Sequence, residues 1–232
     1  MAAFLPFLFA VSFGSVDNWD LSILQWIQEH LANPFFDAVL PAVTHLADKG
    51  WFMIVVSVSF ILFSLAGKIR PLSVKLPSRW RALYPKAALI GWTMGIALLL
   101  GLIFGNGILK NVIARTRPYV LYRQLYEEGP LRLLVAEESD LSFPSGHTLA
   151  SFEAAVGLFL WNRKWGSGAL ALAFIIAFSR LYVCVHYVTD VIAGAVLGTL
   201  FALLAKVIVD QIRKALARRA AGKAESNQTS NE

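Results

Sequence analysis

Three short clusters of polar residues interrupt an otherwise apolar chain. They read KNVIARTRP at 110–118, PSGH at 144–147 and SRLYVCVHYVTD at 179–190. Each lies at the end of a long apolar run, where ionisable side chains cost free energy unless they are paired, hydrated or functional. The clusters supply cations, histidines, an aspartate and a Ser-Gly turn, which are groups that a catalytic anion-binding site needs.

The cations of these clusters favour a phosphate as the anion. Lys110, Arg117 and Arg180 would form a strongly positive pocket, and the planar arginine fork matches phosphate oxygens with two parallel hydrogen bonds. Ser145 and Gly146 directly precede an apolar run that is predicted to be helical. Backbone N–H groups at such a helix start point towards a bound anion.

The histidines add the chemistry of phosphoryl transfer. His186 and Asp190 are four residues apart, so on a helix they share a face. An aspartate bonded to one ring nitrogen fixes the tautomer and leaves the other nitrogen as a nucleophile. His147 then remains to protonate a leaving alkoxide and to deprotonate a water molecule. We see no carboxylate-rich ligand set for a metal, so we expect no metal and no other cofactor.

Each cluster taken singly also has a structural interpretation. Lys110, Arg115 and Arg117 could be cations at a helix end whose stems lie along apolar surface. The PSGH tetrapeptide could be a turn with a helix cap, and the pair of His186 and Asp190 could be structural. The order and spacing of the clusters, and their expected convergence at one end of a helix bundle, favour the catalytic interpretation.

The elements that must position these residues are membrane helices. Hydrophobic residues make up 57% of the 232-residue chain and charged residues only 16%, and the mean hydropathy is +0.60. A soluble domain is about a quarter charged. The net charge is +6, but the basic residues gather in short loops and form no nucleic-acid recognition motif. We therefore expect an integral membrane protein without a nucleic-acid partner.

Uncharged or nearly uncharged runs predict about six spans, each of which needs roughly 20 residues. A first, kinked span combines an amphipathic helix over 17–33 with the run 35–47 that follows Pro34. The other predicted spans cover 51–67, 87–109, 148–162, 165–179 and 191–205. The sequence thus predicts an all-α, polytopic bundle.

Lysine and arginine are expected on the cytoplasmic side of the membrane. They are concentrated in the loop 68–86, at Arg163 and Lys164, and in the C-terminal tail. All three segments fall on one side of a six-span bundle. The loop 110–147, in which five basic and five acidic residues balance, falls on the other side. We therefore expect the polar clusters to face the periplasm or exterior of the cytoplasmic membrane, and the C-terminus to be cytoplasmic.

These patterns divide the chain into three parts. They are an N-terminal interfacial or amphipathic segment (1–34), a transmembrane catalytic domain (35–212) and a basic tail (213–232) that is disordered at its end. Residues 1–16 lack the basic start of a secretory signal, so we expect an interfacial or loosely buried segment there. Cys184 is the only cysteine, which excludes an intramolecular disulfide and a cysteine-based zinc cluster.

In order and spacing, the three clusters resemble the signature motifs of the type-2 phosphatidic acid phosphatase superfamily, which also includes vanadium haloperoxidases and bacterial acid phosphatases. The motif K-x6-R-P matches 110–118, P-S-G-H matches 144–147 and S-R-x5-H-x3-D matches 179–190. Every motif position is matched. The resemblance implies a bundle with an acid phosphatase/vanadium haloperoxidase-like core, in which membrane members act as lipid phosphatases.

The resemblance also implies a role for each motif residue. His186 would be the nucleophile that forms a phosphohistidine, Asp190 its orienting partner and His147 the general acid. The residues expected to hold the phosphate are Lys110, Arg117, Ser145, Gly146 and Arg180. Arg115 is not a signature position; it either tunes the pocket or faces lipid headgroups.

Bacterial family members of this size resemble phosphatases of undecaprenyl pyrophosphate, phosphatidylglycerol phosphate or phosphatidic acid. We expect undecaprenyl pyrophosphate as the substrate, because this lipid carrier is recycled on the outer face of the membrane. The alternatives are a lipid phosphotransferase, a vanadate-dependent haloperoxidase, and a lipid-binding or channel-like bundle with a vestigial site. The expected partners are the lipid substrate and the membrane lipids, without an obligate protein partner.

Overall fold

A computed structural model describes residues 14–67, 84–125 and 131–229, and the regular structure in these ranges is helical throughout. The all-α prediction is thereby confirmed for this part of the chain. The predicted N-terminal segment 1–16 lies almost entirely outside the described residues, as does most of the basic loop 68–86.

The helices follow the apolar runs of the sequence. Their order is α1 (Gly14–Leu31), α2 (Pro34–His45), a 3₁₀ turn (Asp48–Gly50), α3 (Trp51–Ala66), α4 (Tyr84–Leu100), a π-helical segment (Gly101–Leu109), α5 (Lys110–Ile113), α6 (Pro118–Leu125), α7 (Gly146–Phe159), α8 (Arg163–Tyr182) and α9 (Val188–Thr229). The spans that were predicted from uncharged runs correspond to α3, to α4 with the π-helical segment, and to α7, α8 and α9.

Local sequence explains the break between α1 and α2. The Asn33 side chain caps α2 by accepting a hydrogen bond from the N–H of Phe36 at 3.0 Å. Pro34 occupies the first turn, where its missing N–H is not needed. The amphipathic pattern of α1 is also observed, since Leu24 is fully buried whereas Trp26 is exposed.

Helix α7 lies at the centre of the bundle, with most of its residues buried and with α8 and α9 packed against it. Two glycines of α9 permit this close packing. A Cβ atom at Gly194 would lie 2.8 Å from the carbonyl oxygen of Ser145, and one at Gly198 would lie 2.6 Å from that of Leu149. The backbones of α7 and α9 are therefore in direct contact, which fixes the position of the first turn of α7, where His147 lies.

The helical pitch changes just before Lys110. The nine residues of Gly101–Leu109 form a π-helix, a rare conformation that is frequent at functional sites. Gly101 has no side chain, and the buried carboxyl group of Glu153 fills that space: a Cβ atom at Gly101 would lie 2.0 Å from Glu153 Oε1. Because a π-helix has more residues per turn than an α-helix, this segment changes the direction in which the Lys110 side chain leaves the backbone.

The structure corrects the expected number of spans. Within the described ranges, four helical stretches are long and apolar enough to cross a membrane: Pro34–Ala66, Tyr84–Arg123, Arg163–Tyr182 and Val188–Gly222. Helix α7 has 14 residues and is about 21 Å long, which is less than the roughly 30 Å of a hydrocarbon core. The predicted count of six spans is not exact. Helices α2 and α3 fall within one candidate span, and α7 is a short helix enclosed by protein.

The C-terminal tail is helical as far as the structure describes it, and the expected disorder at its end stays a prediction. Helix α9 continues without interruption through the basic segment to Thr229. Alanine, arginine, lysine and glutamate are frequent in this segment and are strong helix formers. This composition therefore sustains a helix. The three-part division of the chain at 34/35 and 212/213 stays a prediction.

Candidate active site

The three polar clusters meet at one end of the bundle. Arg117 of the first cluster lies beside His186 of the third, with 3.4 Å between Nη1 and Nε2. Arg117 and Arg180 both contact the carboxylate of Glu138. His147 of the second cluster lies within electrostatic range of the same Arg180–Glu138 pair. The predicted convergence of the clusters is thus present in the structure.

His186 lies in a turn rather than on a helix, contrary to the prediction. Helix α8 ends at Tyr182 and α9 begins at Val188, and Cys184 between them adopts a left-handed conformation with φ 57°. The turn folds back on the first turn of α9. His186 Nδ1 consequently lies 3.5 Å from Asp190 Oδ2, so the predicted pair is formed across the turn.

Ser142 completes this pair. Its hydroxyl group donates a hydrogen bond to Asp190 Oδ2 and lies 3.4 Å from His186 Nδ1. The imidazole is therefore oriented by both Asp190 and Ser142, and its other nitrogen, Nε2, faces Arg117. Ser142 was not among the predicted residues, since it lies in the outer loop two positions before PSGH and no motif marks it.

The environment of His186 keeps its ring neutral. Burial lowers the pKa of His186 well below its usual value, and the neighbouring cations Arg117 and Arg180 lower it further. A neutral imidazole carries the lone pair that a nucleophile needs. His186 therefore has the correct protonation state for nucleophilic attack near neutral pH.

Arg115 contacts Asp190 and connects it with α1. Its Nη1 atom donates to Asp190 Oδ1 at 2.7 Å, and its Nη2 atom lies 2.5 Å from Asp17 and 2.8 Å from Asp20. The guanidinium group also covers the Tyr187 ring at 3.8 Å from the centroid. These contacts bury Arg115 in the protein and exclude the alternative in which it faces lipid headgroups.

Two acidic residues before α7 hold the cations of the site. Asp140 contacts Lys110 and Arg117, and Glu138 bridges Arg117 and Arg180. Burial acts to raise the pKa of Asp140, but Lys110 and Arg117 lower it to about 2. The pKa of Glu138 is likewise below its usual value because Arg180 and Arg117 outweigh the effect of burial. Both carboxylates are ionised near neutral pH and occupy donors that a phosphate dianion would bind.

Arg180 retains one donor for an anion. Its Nη1 atom donates to Thr44 Oγ1 at 2.7 Å and its Nη2 atom to Glu138. Its buried Nε atom has no hydrogen-bond partner within the described ranges. A buried donor without an acceptor costs about 1–3 kcal/mol, so a phosphate oxygen at this position would be favourable.

His147 lies in the first turn of α7 and contacts a residue that was not predicted. Its Nε2 atom lies 2.9 Å from Asp48 Oδ1, and the other carboxylate oxygen of Asp48 lies 2.8 Å from His45 Nδ1. Asp48 belongs to the 3₁₀ turn between α2 and α3. Its only sequence signal is its place directly before an apolar run, on the side of the membrane where the polar clusters are expected.

The start of α7 is held by backbone contacts. The N–H of Ser145 donates to the carbonyl oxygen of Asp190 at 3.1 Å, and its hydroxyl group accepts a bond from Thr148 at 3.0 Å. Gly146 lies against Asn106, because a Cβ atom at Gly146 would be 2.9 Å from Asn106 Oδ1. In this arrangement Ser145 fixes the helix start, and the phosphate contacts assigned to Ser145 and Gly146 stay predictions.

An apolar cleft lies within the bundle. It lies between α3, α4, α7 and α8, and Phe52, Met53, Ser151 and Ile176 are among the residues that line it. The Ser151 hydroxyl group donates to the carbonyl oxygen of His147 at 2.7 Å, which places the cleft one helical turn from the histidine. Phe52 at its edge is 44% exposed, so the cleft is accessible from the side of the bundle.

Sequence comparison with protein families identifies residues 84–214 as a match to the PAP2 superfamily. This range covers more than half of the chain and includes all three polar clusters. The chain belongs to the PAP2 superfamily. The resemblance to type-2 phosphatidic acid phosphatases that the motifs indicate is thus confirmed.

Among curated proteins, the chain is similar to an undecaprenyl-diphosphatase of Sulfolobus acidocaldarius. The two are 33% identical over 123 residues, which cover 53% of this chain and 56% of that protein. The chain therefore spans about half the length of this PAP2 relative.

Solved structures agree with the PAP2 fold. A transmembrane PAP2-type phosphatidylglycerolphosphate phosphatase from Bacillus subtilis superimposes with a TM-score of 0.59 at 23% identity, covering 89% of this chain and 93% of that chain. A bacterial vanadium-dependent iodoperoxidase gives a TM-score of 0.52 at 13% identity, covering 82% of this chain and 47% of that chain. Both likenesses concern the fold, and they confirm the predicted phosphatase/haloperoxidase-like core.

Proposed function

We propose that the protein is an integral membrane lipid phosphatase that acts through a phosphohistidine at His186. The observation that carries this proposal is the setting of its Nε2 atom. It lies 3.4 Å from Arg117 Nη1, on a neutral ring that Asp190 and Ser142 hold from the opposite nitrogen. A nucleophile beside a phosphate-binding guanidinium group is the arrangement that covalent phosphoryl transfer requires.

In the first step, His186 Nε2 attacks the phosphorus atom. The N–P bond forms while the P–O bond to the lipid breaks, and the electron pair of that bond goes to the leaving oxygen. His147 donates a proton to this oxygen. Lys110, Arg117 and Arg180 stabilise the charge on the transferring phosphoryl group, and the phosphate takes over donors now bound by Glu138 and Asp140.

In the second step, water replaces the lipid. His147, now unprotonated, accepts a proton from a water molecule as the water oxygen attacks phosphorus. The P–N bond breaks, its electron pair returns to Nε2, and phosphate leaves. Both histidines regain their initial protonation states, so the cycle is balanced without a cofactor.

The substrate that we favour is undecaprenyl pyrophosphate, which would yield undecaprenyl phosphate. The similarity to an undecaprenyl-diphosphatase supports this choice. Phosphatidylglycerol phosphate is the alternative, since the chain is also similar to a phosphatidylglycerophosphatase B of Bacillus subtilis, and phosphatidic acid or a phosphotransfer reaction would use the same site. The apolar cleft, which Ser151 lines one helical turn after His147, is a suitable place for part of a lipid chain.

We further propose that the reaction needs no metal ion. Three cationic side chains already supply the positive charge that magnesium provides in many phosphoryl-transfer enzymes. Across the part of the chain that the structure describes, no three His, Cys, Asp or Glu side chains form a group that could hold a metal. We place the site on the outer face of the cytoplasmic membrane, because Arg163 and Lys164 lie at the start of α8 and Arg180 of the site lies near its other end, and lysine and arginine are enriched on the cytoplasmic side.

Phosphate release from purified protein in detergent tests the proposal. The panel contains undecaprenyl pyrophosphate, phosphatidylglycerol phosphate, phosphatidic acid and lipid A, each with and without EDTA. We expect turnover of at least one lipid, unchanged by EDTA, and a loss on the order of 10³-fold or more in His186→Ala. The His147→Asn variant should accumulate an acid-labile phosphoenzyme that His186→Ala does not form.

Each outcome of this panel addresses a separate part of the proposal. Normal turnover in His186→Ala would exclude His186 as the nucleophile. Loss of activity in EDTA with rescue by magnesium would contradict the metal-independent mechanism. A phosphorylated alcohol as the product in place of inorganic phosphate would identify a phosphotransferase.

A further inference from the structure

The catalytic histidines have one carboxylate partner each, and only one of these partners belongs to a motif. Asp190 holds His186 through Nδ1. We propose that Asp48 is a positioning residue for His147, which it holds through Nε2 so that Nδ1 faces the leaving oxygen. This inference rests on the proposed function, in which His147 is the general acid and base.

The contact is built into the fold around the outer start of α3. Asp48 Oδ1 lies 2.9 Å from His147 Nε2, and Asp48 Oδ2 lies 2.8 Å from His45 Nδ1. Both carboxylate oxygens are therefore occupied, which fixes the plane of the carboxylate. The His147 side chain is 14% exposed and that of Asp48 is 52% exposed, so the contact lies at the edge of the site.

The backbone of the 3₁₀ turn directs Asp48 towards α7. Lys49 and Gly50 both have positive φ angles, 50° and 68°. Glycine at the second position adopts this left-handed conformation without a steric cost. A Cβ atom at Gly50 would lie 3.7 Å from Ala150 Cβ, so the turn is in van der Waals contact with the first part of α7. Two successive left-handed residues thus bring Asp48 to a histidine that is 99 positions away in the sequence.

The chemistry of this pair follows from the tautomer that it selects. A carboxylate next to Nε2 favours the neutral tautomer with the proton on Nε2 and the lone pair on Nδ1, which is the form that accepts a proton from water. When Nδ1 is also protonated, the same carboxylate stabilises the imidazolium ion that donates to the leaving group. The two histidines are thus held by opposite nitrogens: His186 presents Nε2 to phosphorus, and His147 presents Nδ1 to the leaving oxygen.

The charged groups around the pair set the direction of a pH effect. His147 faces Asp48, Arg180 and Glu138, and Asp48 itself faces His45, His147 and Arg180. Without Asp48, only the carboxylate of Glu138 offsets the repulsion between Arg180 and the protonated ring of His147. The acidic form of His147 then loses its proton at a lower pH, so the alkaline limb of the kcat/KM profile moves to lower pH.

The experiment compares substrates whose leaving groups differ in their need for a proton. The kcat/KM ratio reports the steps up to departure of the leaving group, so it isolates the acid role of His147 from the later hydrolysis. Phosphatidic acid loses a poorly stabilised alkoxide, whereas p-nitrophenyl phosphate loses a stable phenolate. In Asp48→Ala we expect a loss in kcat/KM of about 10²-fold for phosphatidic acid and less than about 10-fold for p-nitrophenyl phosphate.

Three further variants complete the design. Asp48→Asn keeps the side-chain volume and should show the same substrate-dependent loss, with an unchanged melting temperature in detergent. Asp48→Glu keeps the carboxylate and should recover part of the activity on phosphatidic acid. Asp210→Asn removes a carboxylate that pairs with Lys206 and Arg213 on α9, far along the chain from the site, and should behave as wild type.

The outcomes separate this inference from the proposed function. If the wild-type protein turns over lipid, two results would overturn the positioning role of Asp48 alone. The first is an equal loss of kcat/KM on both substrates in the Asp48 variants. The second is no loss in either Asp48→Ala or Asp48→Asn. A wild-type protein that releases phosphate from no substrate would overturn the proposed function and the role of Asp48 with it. An alkaline limb that does not move in Asp48→Asn would also count against the positioning role.

Discussion

His186 owes its predicted reactivity to residues that reach it from distant parts of the chain. Arg117 lies 69 residues before it and Ser142 lies 44 residues before it, yet both contact the imidazole ring. One nitrogen is thereby held by hydrogen-bonding partners while the other faces a cation. The ring is neutral because burial and the surrounding cations all oppose its protonation.

The lowered pKa of His186 leads to a prediction for the pH dependence of activity. Protonation removes the nucleophilic lone pair, so activity is lost as the pH falls through the pKa of the folded protein. Because this pKa lies well below the usual value of 6.5, we expect the acidic limb of kcat/KM below pH 6.5. The alkaline limb should reflect loss of the His147 proton. Burial and the neighbouring Arg180 lower the pKa of His147 to about 4, so we expect the optimum of the bell-shaped profile on the acidic side of neutrality.

The measurement is kcat/KM from pH 4 to pH 9 with one lipid substrate in detergent. The control is the thermal midpoint at each pH, which separates titration of the site from unfolding. An acidic limb at or above pH 6.5, with the protein folded, would contradict the neutral state inferred for His186.

At the scale of elements, α1 is connected to the site through Arg115. The guanidinium group contacts Asp17 and Asp20 on α1 and Asp190 on α9. Thr189 strengthens the same junction, because its backbone N–H donates to Asp20 Oδ1 at 3.2 Å. The amphipathic N-terminal helix therefore helps to fix the carboxylate that lies beside His186.

We predict that Asp20→Asn destabilises the protein and reduces turnover. The substitution removes one partner of a buried guanidinium group, and breaking such a buried pair costs about 3–5 kcal/mol. The thermal midpoint in detergent should fall. The kcat should fall more than KM rises, because Arg115, which contacts Asp190, is then held by one carboxylate fewer.

Asp17→Asn is the matched control on the same helix. The Asp17 side chain is 20% exposed, whereas that of Asp20 is fully buried, so solvent compensates part of the change at Asp17. Equal melting temperatures for the two variants would show that burial of the Asp20–Arg115 pair does not determine stability.

The sequence predicted the helices and the motif residues because both depend on local patterns. Uncharged runs identify α3, α4, α8 and α9, and the motif spacing identifies His147, His186 and the three cations. The partners Asp48 and Ser142 were not predicted, since each contact joins segments that are far apart in the chain and no local pattern marks it. The turn at Cys184 was also missed, because helical spacing between His186 and Asp190 suggested a continuous helix.

At the scale of the whole molecule, the sides of the bundle are apolar and the charged groups of the site gather at one end. Exposed apolar side chains cover the long helices, among them Leu62, Leu102, Phe174 and Leu200. The ionised groups of the site, in contrast, lie where α7 and α9 begin and where α8 ends. A lipid whose chains remain among the helices would present its phosphate at this end, which agrees with a membrane-embedded substrate.

The final prediction concerns the orientation of this charged end. The native chain is suited to cysteine labelling because its single cysteine, Cys184, is fully buried. Ala136 is exposed in the segment before α7, and Arg163 is exposed at the start of α8, which is the opposite end of the bundle.

Because lysine and arginine are enriched on the cytoplasmic side, Ala136→Cys should react with an impermeant maleimide in intact cells or spheroplasts. Arg163→Cys should react only after permeabilisation, and wild type should remain unlabelled in both conditions. The reverse labelling pattern would place the site in the cytoplasm and would exclude the recycling of a lipid carrier on the outer face.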